Sequence, residues 1–192
     1  MKTIIDIGSH NGKTKSPTYR YTLNPLYEVF HIEPNPNLHE DLEKLNSTLV
    51  KAGISDENGT GKLYFDKRGF FSREKGCSIE KKKGMRSSFL KENNYINSFL
   101  TDEYVEVKIM TLDKLVDYLG LTNIYLLKVD TEGFDFRILN AYSWSVKPHK
   151  IITEDFSETN EEKYELLRSV GYKLLKNDSS DSVWVKTNSA EE

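Results

Sequence analysis

The chain has 192 residues, with 37% apolar, 2 Trp, 11 Tyr and 9 Phe, and its 27 Lys and Arg against 30 Asp and Glu leave a net charge of −3. One domain of roughly 150 residues or more with a real core is expected, and a disordered chain or a generally basic nucleic-acid protein is excluded. The single cysteine, Cys77, excludes a disulfide scaffold or a Cys-rich zinc site, while the short, early-charged start and the lack of any apolar run near ~20 residues predict a soluble, cytoplasmic protein with no membrane contact.

Short β-rich runs alternate with helical patterns, which predicts a mostly parallel α/β sheet. The first strand is expected over Thr3–Ile7 and the second over Tyr27–Ile32. Between them, Ser16-Pro17 and Pro25 predict a helix that is short or starts late, at a Ser16 cap. A helix follows Asn35 as N-cap and Pro36 as first residue, with Leu38, Leu42 and Leu45 as its apolar stripe. A third strand is expected over Leu49–Ile54, and Gly59–Gly61 turns the chain into a strand at Lys62–Phe65.

From Lys67 to Lys91 the rhythm breaks. Nine basic and two acidic residues give this stretch +7, so the remainder carries −10. It reads as a basic insertion, spanning about residues 67–103, on an acidic body forming one domain over 1–192. Alternation resumes at Tyr104–Met110, with Val105, Val107 and Ile109 on one face. Thr111 then caps a helix ending at Gly120. The apolar run Ile124–Val129 reads as a strand covered on both faces. A short helix after Gly133, a strand at Lys150–Thr153 and a helix over Glu161–Val170 come next. Tyr172–Leu175 and Val183–Lys186 close the chain as an antiparallel hairpin.

Three segments at expected strand ends carry chemistry. Asp6-Ile7-Gly8-Ser9-His10-Asn11-Gly12 follows the first strand, where glycines let the backbone approach a ligand and open α/β sheets bind theirs. Its spacing is not the dinucleotide G-x-G-x-x-G, and a tight structural turn is the plainer reading. Glu33-Pro34-Asn35-Pro36 follows the second strand, where an acid accepts ribose hydroxyls in nucleoside-binding sheets. Lys128-Val129-Asp130-Thr131-Glu132-Gly133 ends the buried strand, with two carboxylates able to serve as base, metal ligands or amino-group partners, or merely to cap the next helix. Glu154-Asp155 adds acids at a neighbouring strand end. The four histidines lack ligand spacing, so no metal site is expected.

These residues, together with Gly53-Ile54-Ser55-Asp56 and Thr111-Leu112-Asp113, resemble the FkbM-type S-adenosylmethionine-dependent methyltransferases over roughly residues 3–156. The resemblance implies a Rossmann-like class I methyltransferase sheet in a three-layer sandwich, mostly parallel with an antiparallel C-terminal strand. It implies O-methylation of a small molecule or sugar, with S-adenosylmethionine as cofactor. Asp6, Gly8, Ser9, His10, Asn11 and Gly12 would hold the methionine part, Glu33 and Pro34 the ribose, and Ile54, Ser55 and Asp56 the adenine. Asp130 would face the amino-acid end or the acceptor. The family's usual helix before the first strand is not seen, so a more open cleft or a partner chain is expected.

Asp130 and Glu132 are then the first candidates for a catalytic base, followed by Asp155 and His10, both expected at the same cleft mouth; a divalent ion bridging Asp130 and Asp155 is a lesser alternative. Phe70, Phe71 and Phe89 among the insertion's lysines suggest a lid recruiting an anionic acceptor, against the plainer reading of a solvated spacer. A nucleic-acid acceptor is not expected of so acidic a body. The competing functions are a nucleotide-dependent enzyme, such as a dehydrogenase, and a non-catalytic domain that binds an anionic partner through the insertion.

Overall fold

A computed structural model describes residues 1–66, 87–89, 100–155, 160–178 and 180–187. The expected insertion, about 67–103, lies outside these residues except for 87–89 and 100–103, and with it lie Cys77, Phe70 and Phe71 and the expectation of a lid.

The main sheet has seven strands. In chain order they are β1 (Lys2–Ile7), β2 (Tyr27–Ile32), β3 (Thr48–Val50), then β8 (Leu126–Val129), β9 (Lys150–Glu154), β10 (Tyr172–Asn177) and β11 (Asp181–Lys186). Their spatial order is β10-β11-β9-β8-β1-β2-β3. The pairs from β3 through β9 are parallel, and β11 runs antiparallel to both of its neighbours, β9 and β10.

Alternation divides the strand side chains between two faces. Ile5, Phe30, Leu127 and Ile151 meet Leu115 of helix α3 (Leu112–Tyr118), Ile138 of α4 (Asp135–Ala141) and Leu167 of α5 (Asn160–Ser169) in the larger core. On the other face Ile4, Val29, Leu126 and Ile152 are covered by Tyr27, Tyr125 and Tyr21, the last from the single-turn helix α1 (Tyr19–Thr22). Thr111 caps α3 as its position predicts, accepting the Lys114 N–H at 3.2 Å.

The expectation of one mostly parallel sheet needs correction. A second sheet, in the order β4-β7-β5-β6, is built from β4 (Gly53–Ile54), β5 (Gly59–Asp66), β6 (Ser87–Ser88) and β7 (Leu100–Met110). The run Leu49–Ile54, expected as one strand, divides between the two sheets. Ala52 N–H turns back to the Val50 carbonyl at 3.0 Å, and β4 then pairs with β7 instead of β2. Ile54 and Met110 still pack into the larger core, so both sheets share it.

Two helices also differ from expectation. Asn35 does cap its segment, but that segment is a 3₁₀ turn at Pro36–Leu38 and then one α turn, α2 (His39–Leu42), leaving Leu45 beyond it. Helix α1 begins after Thr18, not at Ser16, although the Ser16 hydroxyl accepts the Thr18 N–H at 3.3 Å and meets its hydroxyl at 2.8 Å. Among the described residues, no helix is long and apolar enough to cross a membrane.

Candidate functional site

The carboxyl ends of β1, β2, β8 and β9 surround a cleft of about 390 Å³. Its floor is set by strand register. Asp6 lies abreast of His31 on one side and Lys128 on the other, so one row of the sheet carries charge where the row below carries Ile4, Val29 and Leu126. Asp6 is fully buried. Lys128 Nζ stands 3.1 Å from Asp6 Oδ1 and 3.2 Å from Asp130 Oδ2, and donates to the Gly8 carbonyl at 3.4 Å. His31 Nδ1 is 3.5 Å from Asp6 Oδ2, which also accepts the Thr18 hydroxyl. Burial alone would raise the Asp6 carboxyl, but the Lys128 ammonium, His31 and the Thr18 hydroxyl outweigh it and hold the group down at about 2. Burial likewise opposes the Lys128 charge, and Asp6 with Asp130 raises it above its ordinary value.

The glycine loop rises from this floor. Gly8 has φ +71°, and a Cβ there would fall 1.8 Å from the Asp130 carbonyl oxygen, so loop and β8 end meet at a spacing only glycine permits. Gly12 answers to packing instead: a Cβ would meet Leu45 Cδ1 at 2.5 Å and Leu42 Cδ2 at 2.8 Å. The Ser9 hydroxyl donates to the Asp6 carbonyl at 2.5 Å. The Asn11 side chain accepts the N–H groups of Lys13 and Thr14. Asp6, Asn11 and Gly12 therefore shape the loop without lining the cleft, whereas Gly8, Ser9 and His10 line it.

Glu33 ends β2, buried at the cleft wall beside Pro34. Its two carboxylate oxygens accept the His10 and Asn35 N–H groups, each at 2.9 Å, which ties the loop after β1 to the turn after β2. Burial pushes the Glu33 carboxyl up to about 7 despite these two donors. His10 adopts φ +54°, and its Nε2 is buried with no hydrogen-bond partner among the described residues. Burial lowers its pKa below the ordinary value, leaving a neutral imidazole at pH 7.

Three acids gather on the opposite wall. Asp130, Glu132 and Glu154 each bring one carboxylate oxygen within 4.8 Å of the others, a spacing able to hold a divalent cation. Burial first, then the negative charges of Asp130, Glu132 and Asp135, push the Glu154 carboxyl up to about 9. Asp135 locks this wall from behind. It accepts the Thr131 N–H at 2.9 Å, the Thr131 hydroxyl at 2.6 Å and the Glu154 N–H at 3.1 Å.

The structure does not bring Asp155 to the cleft, which corrects both its catalytic assignment and the bridging ion with Asp130. Its carboxylate pairs with buried Lys163 at 3.1 Å and accepts the Tyr164 and Ser182 hydroxyls at 2.5 and 2.9 Å. Ile54 lines the cleft, but Ser55 and Asp56 do not. Asp56 is instead held by Arg137 at 2.5 Å, and the Ser55 hydroxyl donates to Asp56 at 3.1 Å. Sequence reasoning passes over Lys128, Glu154 and Asp135 as site residues. Lys128 is visible as the lone charge in an apolar strand. Since Lys128 pairs with Ile152, strand alternation puts Glu154, two residues on, at the Lys128 face.

The family model described as the methyltransferase FkbM domain matches residues 6–174. No curated protein matches the chain. Among solved structures, the methyltransferase FkbM from Methylobacillus flagellatus KT is similar with a TM-score of 0.56 at 13% identity, over 96% of this chain and 43% of that one. The chain thus spans less than half the length of that protein, and at such identity the likeness shows the α/β fold alone. The antibiotic-resistance methyltransferase Kmr is similar at 9% identity with a TM-score of 0.44, over 97% of this chain and 87% of that one. With the family model covering most of its length, the chain belongs to the FkbM methyltransferase domain family.

Proposed function

We propose that the chain is a single-domain O-methyltransferase that uses S-adenosylmethionine to methylate a hydroxyl of a small molecule or sugar. The observation that carries this reading is the joining of Glu33 to the glycine loop, through the His10 N–H, at the rim of one cleft. Bound S-adenosylmethionine supplies an electrophilic methyl group on a sulfonium.

The residues present fit that cofactor. The cleft volume suits a ligand of this size. Glu33 keeps lone pairs beyond those given to two backbone donors, enough to accept a pair of ribose hydroxyls. Leu38, Ile54 and Phe89 offer apolar wall for an adenine, and Phe89 is braced edge-on by Phe134 at 6.1 Å. Gly8, Ser9 and His10 would border the methionine part, with Asp130 across from them.

Transfer to a hydroxyl needs alignment above all, which rigid walls of this kind supply. A base adds about 10²–10⁴-fold. Asp130 and Glu132 serve as candidate bases, and neutral His10 as an alternative acceptor of the hydroxyl proton. Glu154 holds its proton at neutral pH and acts there as a donor.

Titration calorimetry with S-adenosylhomocysteine and transfer from labelled S-adenosylmethionine test the reading. Saturable binding at one site per chain is expected. A chain that binds neither compound, while folded, overturns it.

A further inference from the structure

Lys128 is an expensive residue to bury. It sits in a four-residue strand whose other members are Leu126, Leu127 and Val129, and its side chain is 8% exposed. An apolar side chain of similar volume would cost less than a buried ion pair, so stability alone does not account for the ammonium. Its ammonium is met on three sides: by the Asp6 carboxylate at 3.1 Å and the Asp130 carboxylate at 3.2 Å as ion pairs, and by the Gly8 carbonyl, which accepts a hydrogen bond at 3.4 Å.

These partners differ in kind. Asp6 has no exposure and is fixed by Thr18 and by the strands on either side. The Gly8 carbonyl belongs to a loop pressed against the Asp130 backbone. The Asp130 side chain is 36% exposed and stands beside Glu154, which holds its proton, and Glu132, whose charge repels it. The ammonium thus has a rigid anchor below and one restrained partner above.

We propose that Lys128 is a positioning residue, which through its anchor on Asp6 and Gly8 holds the Asp130 carboxylate at the cleft wall against the repulsion of Glu132. The inference rests on the methyltransferase reading for what the cleft does, but not for the restraint itself.

The test combines a spectroscopic readout with a double-mutant cycle. In protein labelled at the aspartate carboxyl carbons, Lys128→Met should move the Asp130 resonance while amide dispersion stays that of a folded chain. Affinity for S-adenosylhomocysteine should fall about 10-fold in Lys128→Met, and by less than about 3-fold when the same change is made on Asp130→Asn. A moved resonance with unchanged affinity sustains the positioning and assigns Asp130 to the acceptor. An unmoved resonance, or an affinity loss of the same size in both backgrounds, overturns the proposal. Should Lys128→Met not fold, Asp6→Asn/Lys128→Met removes both buried charges and is read the same way. A parent chain that binds no S-adenosylhomocysteine overturns the methyltransferase reading instead, and the resonance alone then decides the positioning.

Discussion

Two buried lysine–aspartate pairs lie at neighbouring strand ends of the main sheet, the second reaching to helix α5, each with an Nζ–Oδ distance of 3.1 Å. Around Lys163 every group is answered from within. Its ammonium donates to the Glu154 carbonyl, and Asp155 receives Tyr164 and Ser182, with Ser182 also taking the Trp184 indole N–H at 2.9 Å. Around Lys128 the pattern is left open on one side, where Asp130 faces a cleft with Glu132 and Glu154. Burial of charge is therefore no sign of function in this fold. The cleft is distinguished by a buried pair with one partner left over and room beside it.

The largest expected effect separates the two pairs by stability. Lys163→Met leaves Asp155 buried without its cation, and urea unfolding should show a loss of about 3–5 kcal/mol. Affinity for S-adenosylhomocysteine, measured where the variant is folded, should stay within about 3-fold of the parent. An affinity loss as large as that of Lys128→Met would erase the contrast between the pairs.

Titration sharpens it further. Asp6, held down at about 2 against an ordinary 3.8, adds stability that is present above pH 4 and lost as pH falls toward 2. Glu154, raised from 4.5 to about 9, works the other way. The folded chain binds that proton more tightly than the unfolded one, so stability declines as pH rises from about 4.5 to 9. Glu154→Gln should remove on the order of 2–3 kcal/mol of that decline, read from urea midpoints at pH 5 and pH 9. An undiminished decline would show that Glu154 is not the group repelled by its neighbours.

How far the site is legible in the sequence depends on the same division. The loop after β1, the acid after β2 and the acids after β8 stand at strand ends, and strand ends are marked by local features: glycine, proline and a switch from apolar to polar residues. The Thr111 and Asn35 caps are legible for the same reason. The features that escape depend on pairing between distant strands. Whether Glu154 or Asp155 faces the cleft is a question of register between β8 and β9, and the division of Leu49–Ile54 depends on β7, more than forty residues later. The apolar stripe through Leu45 is real as a contact, since Leu45 closes over Gly12, but a turn carries it there and not a continuous helix.

Glu33 comes next in size. Its carboxylate ties two turns together and fronts the cleft, so Glu33→Ala should weaken S-adenosylhomocysteine binding by about 1–3 kcal/mol through lost charge-assisted hydrogen bonds. Calorimetry gives the affinity and thermal unfolding separates it from loosening of the loop. Unchanged affinity would remove Glu33 from the ribose position.

The smallest effect is expected at Asp56, where the family resemblance and the geometry part company. The resemblance places Asp56 along the adenine, yet its carboxylate is engaged by Arg137 Nε at 3.0 Å and Nη2 at 2.5 Å, outside the residues that line the cleft. Burial would raise this carboxyl, and the Arg137 hydrogen bonds reverse that and lower it. The Arg137 side chain is 51% exposed, so the pair is well solvated and Asp56→Asn should cost less than about 1 kcal/mol of stability. Affinity for S-adenosylhomocysteine should change by less than about 2-fold, because the variant keeps the shape of the side chain and the position lies outside the residues that line the cleft. A loss of 5-fold or more would mean that Asp56 leaves Arg137 when the cleft fills, and the wall near Ile54 would then extend one turn further than its present lining.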